Sequence, residues 1–162
     1  MNFRTGFGYD VHAFAEDRKL ILGGIEIPFN KGLKGHSDAD VLLHAICDAM
    51  LGALALGDIG QHFPDNDPNY KNIDSKILLT KVSDLVIKNN YKISNIDSTV
   101  VMEKPKLKDY IPSIRKVISE ILKIELNQIS VKATTSEKMG FVGTELGVKA
   151  YSTVLLMEDP EN

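Results

Sequence analysis

The sequence predicts an α+β (mixed α/β) fold: a single domain, residues 1–162, in which one mixed sheet is layered with helices. Strand-like stretches at 3–14, 92–104, 128–134 and 148–157 are interleaved with helix-like stretches at 39–56, 74–88 and 109–122. The chain has 162 residues, 43% of them hydrophobic, which suffices for one good core and is too short for two.

Composition narrows the function. A formal charge of -3 gives no general basic field, so nucleic acid is not an expected partner and any anionic ligand must be held locally. Cys47 is the only cysteine, which excludes an internal disulfide, and its apolar surroundings predict a packed core thiol. The first residues lack the apolar core of a signal peptide, and no apolar run is long enough to span a membrane. The expectation is a soluble, cytoplasmic chain with no membrane partner.

In residues 3–14, strand alternation puts Phe7, Tyr9 and Val11 on one face and Gly6, Gly8, Asp10 and His12 on the other. Asp10 and His12 then project the same way, about 6 to 7 Å apart, close enough to grip one ion together. Asp-x-His by itself also fits a polar strand face, but the bare glycines beside it are expected to leave room for a ligand. The run 20–27 is a hairpin around Gly23-Gly24, and 28–35 reads as a mobile connection.

The helix expected over 39–56 is apolar on all sides except for Asp40, His44 and Asp48, which recur every four residues as one stripe. A solvated face is the ordinary reading of such a stripe. Yet no Lys, Arg, Glu or Gln occurs between Gly35 and Gly60, so Asp and His alone suit a metal or substrate better. Ser37 or Asp38 is placed to cap this helix.

After it comes a long loop rich in turn formers and acceptors, whose Asp58, Asp65 and Asp67 suit ligand hydroxyls as well as turns. An EF-hand is excluded, because its loop glycine and closing Glu are missing. Asp74 caps a helix to about Lys88 with Leu78, Val82, Leu85 and Val86 on one face, and Asn89-Asn90 ends it. The strand 92–104 runs out into Glu103-Lys104-Pro105-Lys106-Leu107-Lys108, where the lysines either attract phosphate or are simply solvated.

A helix over 109–122 tolerates Pro112 in its first turn. The strand 128–134 leads into Thr134-Thr135-Ser136-Glu137. Hydroxyls and a carboxylate there suit phosphate and a bridging divalent cation, or equally an N-cap with Glu in the first helical turn. A last strand, 148–157, precedes an acidic tail.

The runs Asp10-Val11-His12 and Lys34-Gly35-His36-Ser37-Asp38-Ala39-Asp40 with His44 resemble the 2-C-methyl-D-erythritol 2,4-cyclodiphosphate synthases. So do Ala55 to Gly60, Phe63 to Pro68, Pro105-Lys106 and Val131 to Phe141, in the right order over nearly the whole chain.

The resemblance implies zinc held by Asp10, His12 and His44, with the open position taken by a substrate phosphate oxygen. It implies a second cation, magnesium or manganese, on Glu137. His36 and Thr135 would steady the transition state, and Asp40 and Asp48 would be supporting or hydroxyl-binding groups. The implied substrate is 4-diphosphocytidyl-2-C-methyl-D-erythritol 2-phosphate, cyclised with release of CMP. Met102, Glu103, Lys104, Pro105, Lys106, Leu107 and Lys108, with Ala133, Thr134, Thr135, Ser136 and Glu137, would enclose its cytidine end. Asp58, Ile59, Gly60, Phe63, Pro64, Asp65, Asn66 and Asp67 would hold the erythritol, and Ser37, Phe141 and Thr144 would also touch substrate.

The implied assembly is a homotrimer packed through the sheets, with active sites between subunits. Rival readings of the same ligands are a zinc phosphohydrolase and a non-catalytic nucleotide-binding trimer. One departure stands out: the family often reads Gly-Arg-Gly-Glu-Gly where this chain has Gly143-Thr144-Glu145-Leu146-Gly147. That arginine belongs to a central channel where isoprenoid diphosphates lodge, and Thr144 cannot replace a guanidinium as an anion partner.

Overall fold

A computed structural model describes residues 2–64, 66–70 and 72–160. Strand β1 (Phe3–Ala15) is followed by the hairpin β2 (Leu20–Leu22) and β3 (Ile25–Ile27), the short β4 (Gly32–Leu33) and helix α1 (Val41–Ala53). Then come α2 (Ile59–His62), a 3-10 turn (Pro68–Tyr70), α3 (Ser75–Lys88), β5 (Tyr91–Val101), α4 (Ile111–Leu122), β6 (Ile129–Thr134), α5 (Gly140–Gly143) and β7 (Gly147–Glu158).

The sheet order is β4-β1-β7-β5-β6. β1 runs antiparallel to β7 from Phe3 opposite Met157 to Ala13 opposite Gly147, and β5 lies antiparallel on the other side of β7. β6 is parallel to β5, which requires the crossover that α4 supplies. The sheet is therefore mixed, as expected from the sequence.

β1 and α1 meet more closely than side chains would allow. A Cβ added at Gly6 would lie 1.8 Å from the Ala49 carbonyl oxygen, and one at Gly8 would lie 1.9 Å from that of Ala45. This corrects the expected ligand space beside the glycines, because the backbone of α1 fills it. The opposite face of β1 carries Phe3, Phe7, Tyr9 and Val11, all exposed, with Phe7 at 62%. Among the described residues no helix covers that face.

Several boundaries differ from the expectations. The cap of α1 is Asp40 rather than Ser37 or Asp38: its carboxylate accepts from Leu43 N–H at 3.1 Å. It also accepts from Gly23 N–H at 2.9 Å and Gly24 N–H at 2.7 Å, in a turn where both glycines have positive φ. Asp40 is fully buried and thereby removed from the polar stripe, tying the β2–β3 turn to α1 instead. Residues 28–35 are not a free connection, since β4 pairs with Phe14 and Ala15 and Leu33 is buried. β5 ends at Val101 rather than at residue 104, and Met102 N–H then donates to the Thr134 carbonyl.

The helix expected from Asp109 starts at Ile111, with Ile114, Ile118 and Leu122 buried. The 57–70 loop contains α2 and a 3-10 turn. Glu137 and Lys138 have φ of 53° and 60°, so Glu137 precedes α5 and does not belong to a first helical turn. Asp74 does cap α3, Asn89 ends it, and Cys47 is a buried thiol.

Candidate metal centre

β1 delivers Asp10 and His12 from its helix-facing side, and the first turns of α1 deliver His44. Their ligand atoms all lie within 4.8 Å of one another, and among the described residues no other group of three such side chains does this. Asp10 Oδ2 is 2.9 Å from His12 Nε2 and 3.0 Å from His44 Nδ1.

The outer bonds of the two rings decide what the inner atoms are. His12 Nδ1 is 2.7 Å from the Lys34 carbonyl, which can only accept, so Nδ1 carries the proton and Nε2 the lone pair. Although that Nε2 lies close to Asp10, it is buried without a hydrogen-bond partner. His44 Nε2 is 2.8 Å from the Ser75 hydroxyl, whose own proton goes to Asp38, so Nε2 carries the ring proton and Nδ1 faces Asp10. Neutral rings held in this way turn lone pairs toward a carboxylate, an arrangement that a cation between them relieves. Two imidazole nitrogens and one carboxylate oxygen form a donor set suited to zinc, with a fourth position free for a ligand.

In the metal-free chain a proton on an inner nitrogen takes the place of that cation. Burial pushes the Asp10 carboxyl upward, but the hydrogen bonds and charges of His12 and His44 outweigh it and hold the pKa at about 2, below the ordinary 3.8. Burial pulls His12 down, yet Asp10 and the Lys34 carbonyl raise it above 6.5. Asp48, third in the polar stripe, is raised by burial and accepts from Ile59 N–H at 2.8 Å. It fixes the start of α2.

The three side chains line a cleft of about 250 Å³ together with His36, Ser37, Ile59, Gly60 and Phe63. Lys34, Gly35, Tyr70, Ile73 and Leu78 line it too, and sequence reasoning did not select them as site residues. Tyr70 packs edge-on to Phe63 with ring centroids 5.4 Å apart, and the Lys81 ammonium lies over both rings. Only the aromatic residue after Pro68 hinted at this.

A second cleft of about 300 Å³ is lined by Met102, Pro105, Lys106, Leu107, Lys108, Ile111, Ala133, Thr134 and Thr135. The two clefts have no lining residue in common. Beside the second, Glu137 Oε1 accepts from the Thr135 hydroxyl at 2.8 Å. Glu103 is occupied within the chain: Oε1 accepts from Ser136 N–H at 3.0 Å and from Lys138 N–H at 3.3 Å, shaping the 134–139 turn. Lys104 pairs with Glu145 at 3.0 Å.

Asp58 caps α2 through Gln61 N–H, while the backbone of Asp67 bonds Pro64 and Tyr70 in a turn. Pro64 is half-buried and Asn66 exposed. Asp65 lies outside the described residues. Phe141 is exposed, and the Thr144 hydroxyl donates to the Gly140 carbonyl at 3.1 Å.

A mixed-sheet α+β chain that converges two histidines and an aspartate on one point of a cleft has the makings of a metalloenzyme. The chain belongs to the YgbB family, whose model matches residues 3–157. It is 61% identical over 153 residues to the 2-C-methyl-D-erythritol 2,4-cyclodiphosphate synthase of Fusobacterium nucleatum, covering 94% of this chain and 96% of that one. The Clostridium perfringens protein of the same name is 58% identical over 155 residues, covering 96% and 99%.

Among solved structures, the bifunctional IspDF from Campylobacter jejuni matches with a TM-score of 0.93 and 44% identity, covering 97% of this chain and 42% of that longer one. The IspF CDP complex of Plasmodium falciparum matches with a TM-score of 0.86 and 38% identity, over 98% and 97% of the two chains. No helix among the described residues is long and apolar enough to cross a membrane.

Proposed function

We propose that this chain is a zinc-dependent phosphorus-oxygen lyase that converts 4-diphosphocytidyl-2-C-methyl-D-erythritol 2-phosphate to 2-C-methyl-D-erythritol 2,4-cyclodiphosphate and CMP. The observation that carries the proposal is the convergence of Asp10, His12 and His44 in a chain 61% identical to a protein of that name. A 2-phosphate oxygen bonds to the β-phosphorus as the bond from that phosphorus to the CMP phosphate oxygen breaks, closing the ring. No protein nucleophile is needed, and a phosphate monoester near neutral pH is already largely ionised.

When bound, zinc and a second cation supply positive charge against the repulsion of the two anionic groups. Asp10, His12 and His44 hold the zinc, and Glu137 beside Thr135 holds magnesium or manganese. His36 and Thr135 aim donors at the phosphate oxygens. The Asp58–Gly60 turn and residues 63–67 hold the erythritol, Ser37 meets it from the metal cleft, and residues 102–108 and 133–137 enclose the cytidine end with Phe141 and Thr144. Two similar structures are described as CDP-bound, which supports a cytidine nucleotide as ligand.

The assembly proposed is a homotrimer of single-domain chains in the cytoplasm. The bare apolar side of β1 supports association, which would remove it from water. The separate clefts support sites shared between neighbours, with the metal cleft of one chain facing the nucleotide cleft of the next. Incubation with the substrate tests the function: cyclic product and CMP that stop on chelation are expected. A linear phosphorylated product would instead mark a hydrolase, and CMP binding without turnover a binding protein.

A further inference from the structure

Behind His44, on the side away from Asp10, lies a chain of polar groups that the cyclisation chemistry does not use. The Ser75 hydroxyl is 2.8 Å from His44 Nε2 and also contacts Asp38 Oδ1 in a short hydrogen bond. Asp38 Oδ2 accepts from the Ser75 backbone N–H at 2.9 Å, and Oδ1 from Asp40 N–H at 3.2 Å. Ser75 is fully buried at the first position of α3, where Asp74 supplies the cap. Its side chain is therefore free for a purpose other than capping.

A hydroxyl has one proton to give. A carboxylate can only accept, so Ser75 Oγ–H must point at Asp38, and what Ser75 offers His44 is a lone pair. His44 Nε2 then has to be the N–H donor, which leaves the Nδ1 lone pair facing Asp10 and the metal position. The one competitor, the Ser37 hydroxyl, is farther from Nε2 at 3.3 Å, and an Nε2 lone pair turned toward it would also face the Ser75 lone pair at 2.8 Å. His12 has its Nε2 lone pair turned inward by the Lys34 backbone carbonyl, which mutation cannot remove. Only the His44 side of the centre depends on side chains.

We infer that Asp38 and Ser75 are positioning residues for the metal: the Asp38 carboxylate directs the Ser75 hydroxyl, which holds His44 with Nε2–H outward and Nδ1 on the ion. The inference rests on the proposed zinc site. Partners of this kind behind a ligating histidine fix its tautomer and raise its basicity, and losing one typically weakens metal binding by about 10- to 100-fold. Neither residue touches the ion or the substrate in this role.

The test is zinc affinity of the purified full chain, measured by competition with a chromophoric chelator, for wild type, Ser75→Ala and Asp38→Asn. Ser75→Ala retains the backbone bond to Asp38, so the melting temperature of its metal-free form should stay near wild type while zinc affinity falls about 10- to 100-fold. Asp38→Asn keeps the shape, removes the charge that sets the hydroxyl's direction, and should weaken zinc in the same sense. In zinc-loaded wild type, NMR should find the ion on His44 Nδ1 and a slowly exchanging Nε2 proton, which Ser75→Ala loses to fast exchange. Zinc affinity within about twofold of wild type in both variants, or an ion on His44 Nε2, would overturn the inference. Failure of the wild-type chain to bind zinc would overturn the metal site itself, a separate result.

Discussion

Gly8 and Ala45 are in backbone contact: a Cβ on Gly8 would lie 1.9 Å from the Ala45 carbonyl oxygen. This contact brings the metal cluster together. Asp10 follows Gly8 on the same face of β1, and His44 precedes Ala45 on α1, so the distance between strand and helix sets the distance between carboxylate and imidazole. A normal side chain at position 8 would wedge the layers apart and separate the ligands.

Gly8→Ala is therefore expected to be costly in two ways. Neither partner in the clash is a flexible side chain, so the layers must shift, destabilising the fold by roughly 3 kcal/mol, the upper part of the usual range for overpacking. Urea unfolding of the metal-free protein measures the first effect. Zinc titration measures the second, a weaker site.

Asp40→Ala should destabilise without altering the metal stoichiometry. It removes a helix cap and leaves Gly23 and Gly24 N–H without their acceptor, a loss of roughly 3 kcal/mol when the cap and unpaired donors are taken together. Hydrogen exchange at Gly23 and Gly24 should accelerate. A variant binding less than one zinc per folded chain would show that Asp40 belongs to the site after all.

The metal-free protein should be most stable between about pH 4 and 6.5. Asp10 has a folded pKa of about 2 against an ordinary 3.8, so its contribution is present above 3.8 and lost as pH falls toward 2. That shift corresponds to about 2 kcal/mol. His12 is raised above 6.5, so its contribution is present below that value and lost as pH rises through its folded pKa. Unfolding in chelator across pH 2 to 9 checks both slopes, and Asp10→Asn should flatten them.

Glu137→Gln should separate the two cations. Glu137 is no helix-start residue and stands with Thr135 beside the second cleft, outside the Asp10-His12-His44 cluster. The variant is expected to keep its zinc, lose turnover at ordinary magnesium and recover part of it at high magnesium or manganese. Wild-type turnover with unchanged magnesium dependence would move the second cation elsewhere.

Much of this was legible in the sequence because it depends on local pattern. Alternation in residues 3–14 placed Asp10 and His12 on one face, and the helical period placed His44 on a buried helix. The same pattern misassigned Asp40, which shares a face with His44 by period but is turned aside by a hairpin seventeen residues earlier in the chain. The glycines were read as empty space because a sequence does not say what fills it. Glu103 lies in the run expected around the cytidine end, and the sequence did not show its bonds to Ser136 and Lys138, more than thirty residues away. Long-range pairing of this kind also hid Ser75 behind His44, while Tyr70 meets Phe63 through the irregular course of the 57–70 loop, which has no period to read.

The most direct measurement of the central claim is elemental analysis of zinc in the purified wild-type chain and in His44→Ala. One zinc per chain in wild type is predicted, with nearly none in the variant even though it remains folded. Full zinc occupancy in folded His44→Ala would contradict the assignment of Asp10, His12 and His44 as the metal site.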